Sequence, residues 1–146
     1  MAAWEKNELT RIAGADDLHI SPFRDNGVTY GTPAWIWCVV VGEALYVRAY
    51  NGQNSRRYRA ALRQKAGRIA VAGITKEVTF ERVDGAVNDL IDEAYQAKYK
   101  NSPYPQPPYL QLTIGARARS ATVKIDPREM KGTKNEFESS ALGGDT

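Results

Sequence analysis

One segment near the middle of the chain collects residue types that bind phosphate. It runs from Arg48 to Arg57 and holds a strand-borne arginine, a Gly/Asn-rich loop and a hydroxyl followed by two more arginines. The predicted order is strand, loop and helix. In that order the amides of the loop, the dipole of the helix and the guanidinium groups converge on one point. The candidate phosphate-binding residues are Arg48, Asn54, Ser55, Arg56 and Arg57. The alternative is that these arginines form an ordinary solvated helix face.

A second candidate is the aromatic stretch from Thr32 to Trp37. Tryptophans beside a proline can pack against a flat ligand. The proline interrupts the hydrogen bonding between strands, so that neighbouring backbone amides are turned toward the ligand. Core packing explains the tryptophans at least as well. Cys38 follows on the same apolar run and is predicted to be a small core residue, not a nucleophile. The single histidine, His19, has no partner pattern for catalysis and is predicted to be structural or at the surface.

The composition excludes several classes of protein. The chain has 146 residues, a formal net charge of +3, one cysteine and one histidine, which fits one globular domain and excludes an internal disulfide and zinc sites built from paired Cys or His ligands. The sequence lacks GxSxG, GxxxxGK, HExxH, CxxC and GxGxxG motifs. No apolar run approaches the roughly 20 residues of a membrane span, and the N-terminus is charged, so we expect a cytoplasmic protein without membrane association.

The elements that must position these residues are predicted from periodicity and turn signals. Helices are expected at residues 4–12, from Asn54 or Ser55 to Ala66 with Gly67 as the stop, and after Asp84, which is expected to cap the helix. Strands are expected at residues 18–24, 28–41, 45–50, 68–74, 77–83 and 116–125. The strand at 28–41 is apolar on both faces and is expected at the centre of the sheet. Four prolines predict an extended connector over residues 102–109.

The order of these elements predicts a mainly β fold with flanking helices, in which antiparallel strands close into a small barrel. We place one domain at residues 1–130. The polar, Gly/Ser-rich tail at residues 131–146 is predicted to be disordered. On the third helix, the acidic face is expected simply to meet water; its residues are Asp89, Asp92, Glu93 and Gln96. Arg117 and Arg119 are expected to alternate on the last strand and to share a face.

Several of these motifs resemble the FMN-binding split barrels related to pyridoxamine-phosphate oxidase. The stretch 32–37, a glycine turn, the strand 45–50 and the helix start 54–57 match the strand, hairpin and Ser-Arg-Lys helix start of those proteins. The Thr-Pro pair is also similar to that of the deazaflavin-dependent nitroreductases. The run from Trp4 to Glu129 resembles, more closely, an uncharacterised bacterial family assigned to that superfamily. The matching motifs lie at residues 22–24, 30–33, 47–52, 94–99 and 116–119.

The resemblance implies a six-stranded antiparallel split β-barrel, usually a homodimer, with FMN or a deazaflavin at the subunit interface. It implies that Ser55, Arg56 and Arg57 hold the phosphate, with Arg57 in place of the usual lysine. Thr32 and Pro33 would lie along the ring system.

The sequence departs from the oxidases in one part of the phosphate-binding site. Their arginine at the start of the apolar strand is replaced here by Gly31-Thr32, so Arg48 is the candidate substitute. Tyr30 and Tyr50 are candidates for groups near the ring. The residues specific for vitamin B6 have no counterpart in the tail, and we do not expect that substrate.

The leading hypothesis is a flavin- or deazaflavin-dependent oxidoreductase that transfers hydride between the cofactor and a small organic substrate. The second is a non-catalytic split-barrel protein that binds haem or another anionic ligand. The third is nonspecific nucleic-acid binding through the basic stretch from Ala44 to Thr75, which contains no Asp or Glu. The clustering of arginines at one helix start disfavours this third hypothesis.

Overall fold

A seven-stranded antiparallel sheet organises the chain. The computed structural model describes residues 3–49, 52–100 and 109–128. The strands are β1 His19–Pro22, β2 Ala34–Trp35, β3 Cys38–Val41, β4 Ala44–Arg48, β5 Ala66–Val71, β6 Ile74–Arg82 and β7 Thr122–Pro127. The helices are α1 Lys6–Ala13, α2 Arg56–Gln64, α3 Val87–Tyr99, α4 Tyr109–Ile114 and α5 Ala116–Arg119, with a 3₁₀ turn at Gly52–Asn54. Tyr50, residues 101–108 of the connector region and the tail 131–146 lie outside the described residues.

The sheet curls because its two edge strands are neighbours in sequence. The strand order is β2-β1-β5-β6-β7-β4-β3, and every pair is antiparallel. Only Ile36 and Trp37 separate β2 from β3. Three Cα steps reach at most about 11 Å, so the opposite edges of the sheet must approach each other. The result is an open half-barrel with flanking helices.

The prediction of one central strand over residues 28–41 is wrong. Those residues contain the two edge strands β2 and β3, which brings the total to seven strands instead of the expected six. Residues on β3 are apolar on both faces for another reason. Cys38 packs into the interior core, and Val39 packs against α3 on the outside. A strand that is covered on both faces has the apolar sequence pattern of a central strand, even when it lies at the edge of a sheet.

The start of α2 follows the prediction, but its end does not. Ser55 is the N-cap, and its Oγ accepts a hydrogen bond from the backbone amide of Tyr58 at 3.3 Å. The helix ends at Lys65, which adopts a left-handed φ of 61°. Gly67 already belongs to β5, where a Cβ atom would lie 2.4 Å from the carbonyl oxygen of Ser21. This glycine is therefore required by the close approach of β1 and not as a helix stop.

The predicted last strand at residues 116–125 is also partly wrong. Residues 116–119 form α5, and the strand β7 begins at Thr122. The Ala-Arg-Ala-Arg run alternates like a strand, but alanine and arginine are also strong helix formers. Gly115 precedes this helix in extended conformation and separates it from α4. Asp84 does not cap α3, whose N-cap is Ala86 without a side-chain hydrogen bond.

Two apolar cores lie on opposite faces of β3 and β4. The inner core is enclosed by the curled sheet and includes Ile20, Leu45, Val47, Ile69, Val78, Val123 and Ile125. The outer core packs α3 against the sheet and contains Trp37, Val39, Tyr46, Ile91, Tyr95 and Tyr99. The Trp37 ring stacks on Tyr99 with centroids 4.1 Å apart. Trp37 is therefore a core residue, which agrees with the packing explanation offered above.

Candidate cofactor and anion site

An apolar cavity of about 190 Å³ opens inside the half-barrel beside the start of α2. Its apolar lining comes from four strands, their connections and α2, and includes Ile20, Ala34, Ile36, Val47, Ala49, Ala61 and Val123. Trp35 also lines this inner cavity and is 44% exposed. The polar part of the lining consists of Ser55, Arg57 and Tyr58. An apolar chamber with a few polar groups at one side is typical of a site for a ring-containing ligand.

A second and more open space, the outer groove, lies on the other side of Arg57. It measures about 670 Å³ and is bounded by the loop that follows β1 and by α2. Four arginines line it, together with one acidic residue; they are Arg24, Arg56, Arg57, Arg63 and Asp25. Because Arg57 lines both spaces, the inner cavity and the outer groove meet at the N-terminus of α2.

The structure brings together some of the residues predicted for the site and separates others. Ser55 and Arg57 line the inner cavity, and Thr32 lines the outer groove with Arg56 and Arg57. Within residues 3–49, 52–100 and 109–128, neither the Arg56 nor the Arg57 guanidinium has a hydrogen bond or ion pair. Pro33 and Asn54 line neither space.

Arg48 does not fit the predicted role of phosphate ligand. Its side chain is fully buried on the face of β4 that is turned toward α3, opposite the inner cavity. All five of its N–H groups have protein partners. They donate to Thr122 Oγ1, Asp92 Oδ1, the Thr113 carbonyl, and both the carbonyl and Oδ1 of Asn88. No donor of Arg48 is left for a ligand.

The acidic face of α3 is therefore more than a solvated surface. Asp92 accepts hydrogen bonds from both Arg48 and Arg119, and Asp89 accepts one from Arg119 at 3.2 Å. The hydrogen bonds that Arg119 donates, to Asp92 first and then to Asp89, raise the pKa of its guanidinium further above its already high ordinary value. The sequence carries no local sign of this ion-pair network, because its members come from β4, α3 and α5.

Tyr30 likewise lies in another cluster. Its hydroxyl donates to Glu77 Oε2 at 2.5 Å, and this hydrogen bond raises the pKa of the Tyr30 phenol. The guanidinium of Arg68 lies 4.0 Å from the centroid of the Tyr30 ring. The Phe23 ring also stacks on Tyr30, with ring centroids 5.0 Å apart. Tyr30 lines neither the inner cavity nor the outer groove, so the expectation that it contacts the ring is not supported.

Tyr58 is a candidate that sequence reasoning missed. Its ring is buried on α2, and it lines the inner cavity. Its hydroxyl makes one long hydrogen bond of 3.5 Å to the Ser120 carbonyl. Burial raises the pKa of the phenol, so the hydroxyl stays protonated and remains a donor at neutral pH. Its position three residues after the N-cap serine is the signal that could have revealed it.

The two other reactive residue types behave as expected. Cys38 is buried in the inner core, and desolvation raises the pKa of its thiol, which suits a packing role. His19 is exposed and its Nδ1 lies 2.9 Å from the carbonyl oxygen of Asp17. Neither residue lines the inner cavity or the outer groove. None of the helices in the described part of the chain has the length and apolar character to span a bilayer.

Together, the fold and the cavities define a mainly β protein: an open antiparallel half-barrel with flanking helices and an arginine-lined groove beside an apolar chamber. The model of a family described as "uncharacterized protein conserved in bacteria (DUF2255)" matches residues 8–125, and the chain belongs to that family. No curated protein is significantly similar to it. Membership of an uncharacterised bacterial family is thus confirmed, whereas its placement among the FMN-binding split barrels stays a prediction.

Proposed function

We propose that the protein binds FMN or a phosphorylated deazaflavin and transfers hydride between this cofactor and a small organic substrate. The observation that carries the proposal is the pair of guanidinium groups of Arg56 and Arg57, which lack protein partners within the described residues where an apolar chamber meets a groove. A phosphorylated ring compound needs this combination of an apolar wall and charged donors.

The residues present fit such a group. The inner cavity alone is smaller than the 300–1,000 Å³ typical of ligand pockets, and the outer groove lies next to it, with Arg57 lining both. Ser55, Arg56 and Arg57 would hold the phosphate at the N-terminus of α2. Trp35 and the aliphatic lining would contact the ring system. Arg48 takes no part in holding the phosphate, so the phosphate site has fewer arginines than the resemblance implied.

The chain's own contribution is to bind, to exclude water and to place positive charge. When bound, either cofactor exchanges a hydride with the substrate, so that the substrate gains or loses two electrons and one proton. The apolar lining keeps bulk water from the ring face. Arg57 supplies a cationic group beside that chamber and favours an anionic reduced ring. Tyr58 stays protonated there, and its hydroxyl can donate to a ligand in exchange for its long hydrogen bond to the Ser120 carbonyl.

The test compares phosphorylated and unphosphorylated flavin. Binding of FMN and riboflavin is measured by fluorescence quenching for the wild type, Arg57→Ala and Arg59→Ala. A charge-assisted hydrogen bond contributes about 1.5–3 kcal/mol, so Arg57→Ala should weaken FMN binding about 10- to 150-fold and leave riboflavin nearly unchanged. Arg59 is exposed on the same helix but lines neither space, and its replacement is the matched control.

Absence of saturable binding of both FMN and a phosphorylated deazaflavin would refute the proposal. Equal losses of FMN and riboflavin in Arg57→Ala would show that this arginine does not hold a phosphate. If a flavin binds but a nicotinamide donor does not reduce it, the protein is a binding protein without turnover, as in the second hypothesis. Haem receives less support, since neither space is lined by a described His, Cys or Met residue.

A further inference from the structure

The outer groove is larger and more positive than the phosphate of one cofactor requires. In the proposed function, that phosphate takes the groove end at Arg56 and Arg57. The groove continues to Arg24 and Arg63, which come from the loop after β1 and from two turns further along α2. Among the residues that the structure describes, one carboxylate, that of Asp25, lines the groove against these four cations.

The two distant arginines keep donors for a ligand. Arg24 donates from its Nε to the Tyr30 carbonyl at 3.0 Å, and its terminal nitrogens have no hydrogen-bond or ion-pair partner among the described residues. Arg63 pairs through Nη2 with Asp25 at 2.8 Å, but their side chains are 58% and 85% exposed. An ion pair this exposed contributes little and exchanges readily for a stronger anion.

The loop that carries Arg24 is held in a defined shape. Asn26 Oδ1 accepts hydrogen bonds from the amides of Val28 and Thr29, both at 2.9 Å. Gly27 provides the left-handed φ of 70° that the turn needs. A turn ordered before binding reduces the entropy that a ligand has to offset. Phe23, stacked on Tyr30, adds an apolar wall to the same groove.

We infer that the far end of the outer groove, at Arg24 and Arg63, binds a second oxyanion, beyond the phosphate at Arg56 and Arg57. The ligand class is a small organic phosphate or carboxylate whose apolar part lies along Phe23. This inference rests on the proposed function, because the cofactor phosphate at Arg56 and Arg57 leaves this end of the groove for another anion. The groove volume of about 670 Å³ suits a small molecule.

The experiment titrates inorganic pyrophosphate and oxalate into the full chain by calorimetry, with and without saturating FMN. Arg24→Ala and Arg63→Ala should each weaken binding of the preferred probe about tenfold or more. Asp25→Asn should strengthen it several-fold, because the change removes a competing charge and releases Arg63. Arg59→Ala is the control and should leave the affinity unchanged. These positions are exposed, and circular dichroism checks that each variant folds.

The preference between pyrophosphate and oxalate distinguishes a phosphate from a carboxylate ligand. The inference is overturned if Arg24→Ala and Arg63→Ala bind both probes like the wild type, or if Asp25→Asn weakens binding. It is also overturned if Arg59→Ala loses as much affinity as Arg63→Ala and a single-stranded oligonucleotide binds more tightly than either probe. That pattern would identify a general basic surface.

The two proposals fail separately. Flavin binding without the expected pattern at Arg24, Asp25 and Arg63 refutes only the second oxyanion site. The expected pattern without any flavin binding refutes the proposed function and retains the groove as an oxyanion site. Retention of FMN affinity in Arg24→Ala and Arg63→Ala, with loss of pyrophosphate or oxalate affinity, supports both.

Discussion

Replacing Asp92 with asparagine should destabilise the protein far more than the same change at Asp89. The two carboxylates lie on α3 and both accept hydrogen bonds from Arg119. Only Asp92 also pairs with Arg48, whose side chain has no solvent exposure. Asp92 itself is 20% exposed, whereas Asp89 is 71% exposed. The comparison therefore isolates the buried half of the network.

The size of the effect follows from the burial of the guanidinium. Removing one partner of a buried ion pair costs about 3–5 kcal/mol, because the remaining charge stays buried without compensation. The partial exposure of Asp92 places the expected cost at the lower end, about 3 kcal/mol. This is a large part of the 5–15 kcal/mol by which domains are usually stable. Arg48 would keep its hydrogen bonds to Asn88 and Thr122 but lose its anionic partner.

Urea unfolding followed by tryptophan fluorescence measures the difference. With a slope near 1.5 kcal/mol per M, Asp92→Asn should lower the midpoint by about 2 M. The melting temperature should fall by about 9 °C. Asp89→Asn should move the urea midpoint by less than about 0.5 M, as expected for an exposed pair.

A double-mutant cycle strengthens the test. Arg48→Met and Asp92→Asn should together cost about 1–3 kcal/mol less than the sum of their separate effects, since each removes the same interaction. Equal destabilisation by Asp92→Asn and Asp89→Asn, or strict additivity with Arg48→Met, would refute the assignment of Arg48 to a coupled buried network.

Two further predictions concern pH and backbone packing. The hydrogen bond from Lys76 lowers the pKa of Glu8 below its ordinary 4.5, so its stabilisation is complete above that pH and is lost as the pH falls through the lowered value. Glu8→Gln should therefore be less stable than the wild type at pH 7, and this difference in stability should disappear in acid. Urea midpoints of both proteins from pH 7 to pH 3 measure the difference. A difference that stays constant over this range contradicts the reasoning. Gly67→Ala should cost about 1–3 kcal/mol or more, because its Cβ would lie 2.4 Å from the Ser21 carbonyl oxygen. Gly14→Ala, with a φ of −92° and no atom nearer than 3.9 Å, is the near-neutral control in thermal melts.

Sequence reasoning succeeded where the signal is local. The helix start at Ser55 is visible because an N-cap serine and the helix it caps are adjacent in the chain. The turn at residues 25–27 and the amphipathic part of α3 are visible for the same reason. The candidate residues Ser55, Arg56 and Arg57 lie within three positions of one another. Because the helix begins where its cap predicts, Ser55 and Arg57 line the inner cavity and Arg56 and Arg57 line the outer groove.

The failures concern residues whose neighbours are distant in sequence. Whether β3 lies at the centre or the edge of the sheet depends on pairing, which is not encoded in the apolar character of a single strand. Arg24 and Arg63 were not recognised as site residues, because 38 positions separate Asp25 from its partner Arg63. The fourth and fifth helices were missed because their short sequences carry patterns compatible with either structure.

By itself, the amino-acid sequence determined which chemical groups are available: a serine-capped helix start with two arginines, an apolar strand set, and no residue pattern for hydrolytic or zinc chemistry. Tertiary structure alone decided which arginines can meet a ligand. Alternation along β4 puts Arg48 and the cavity-lining Val47 on opposite faces, and packing with α3 decides which face is enclosed. The physical reason is that the Arg48 guanidinium donates its hydrogen bonds to buried protein groups, among them Asp92 and Thr122, which lie 44 and 74 positions away in the sequence. Arg57, in contrast, remains at the surface of the cavity.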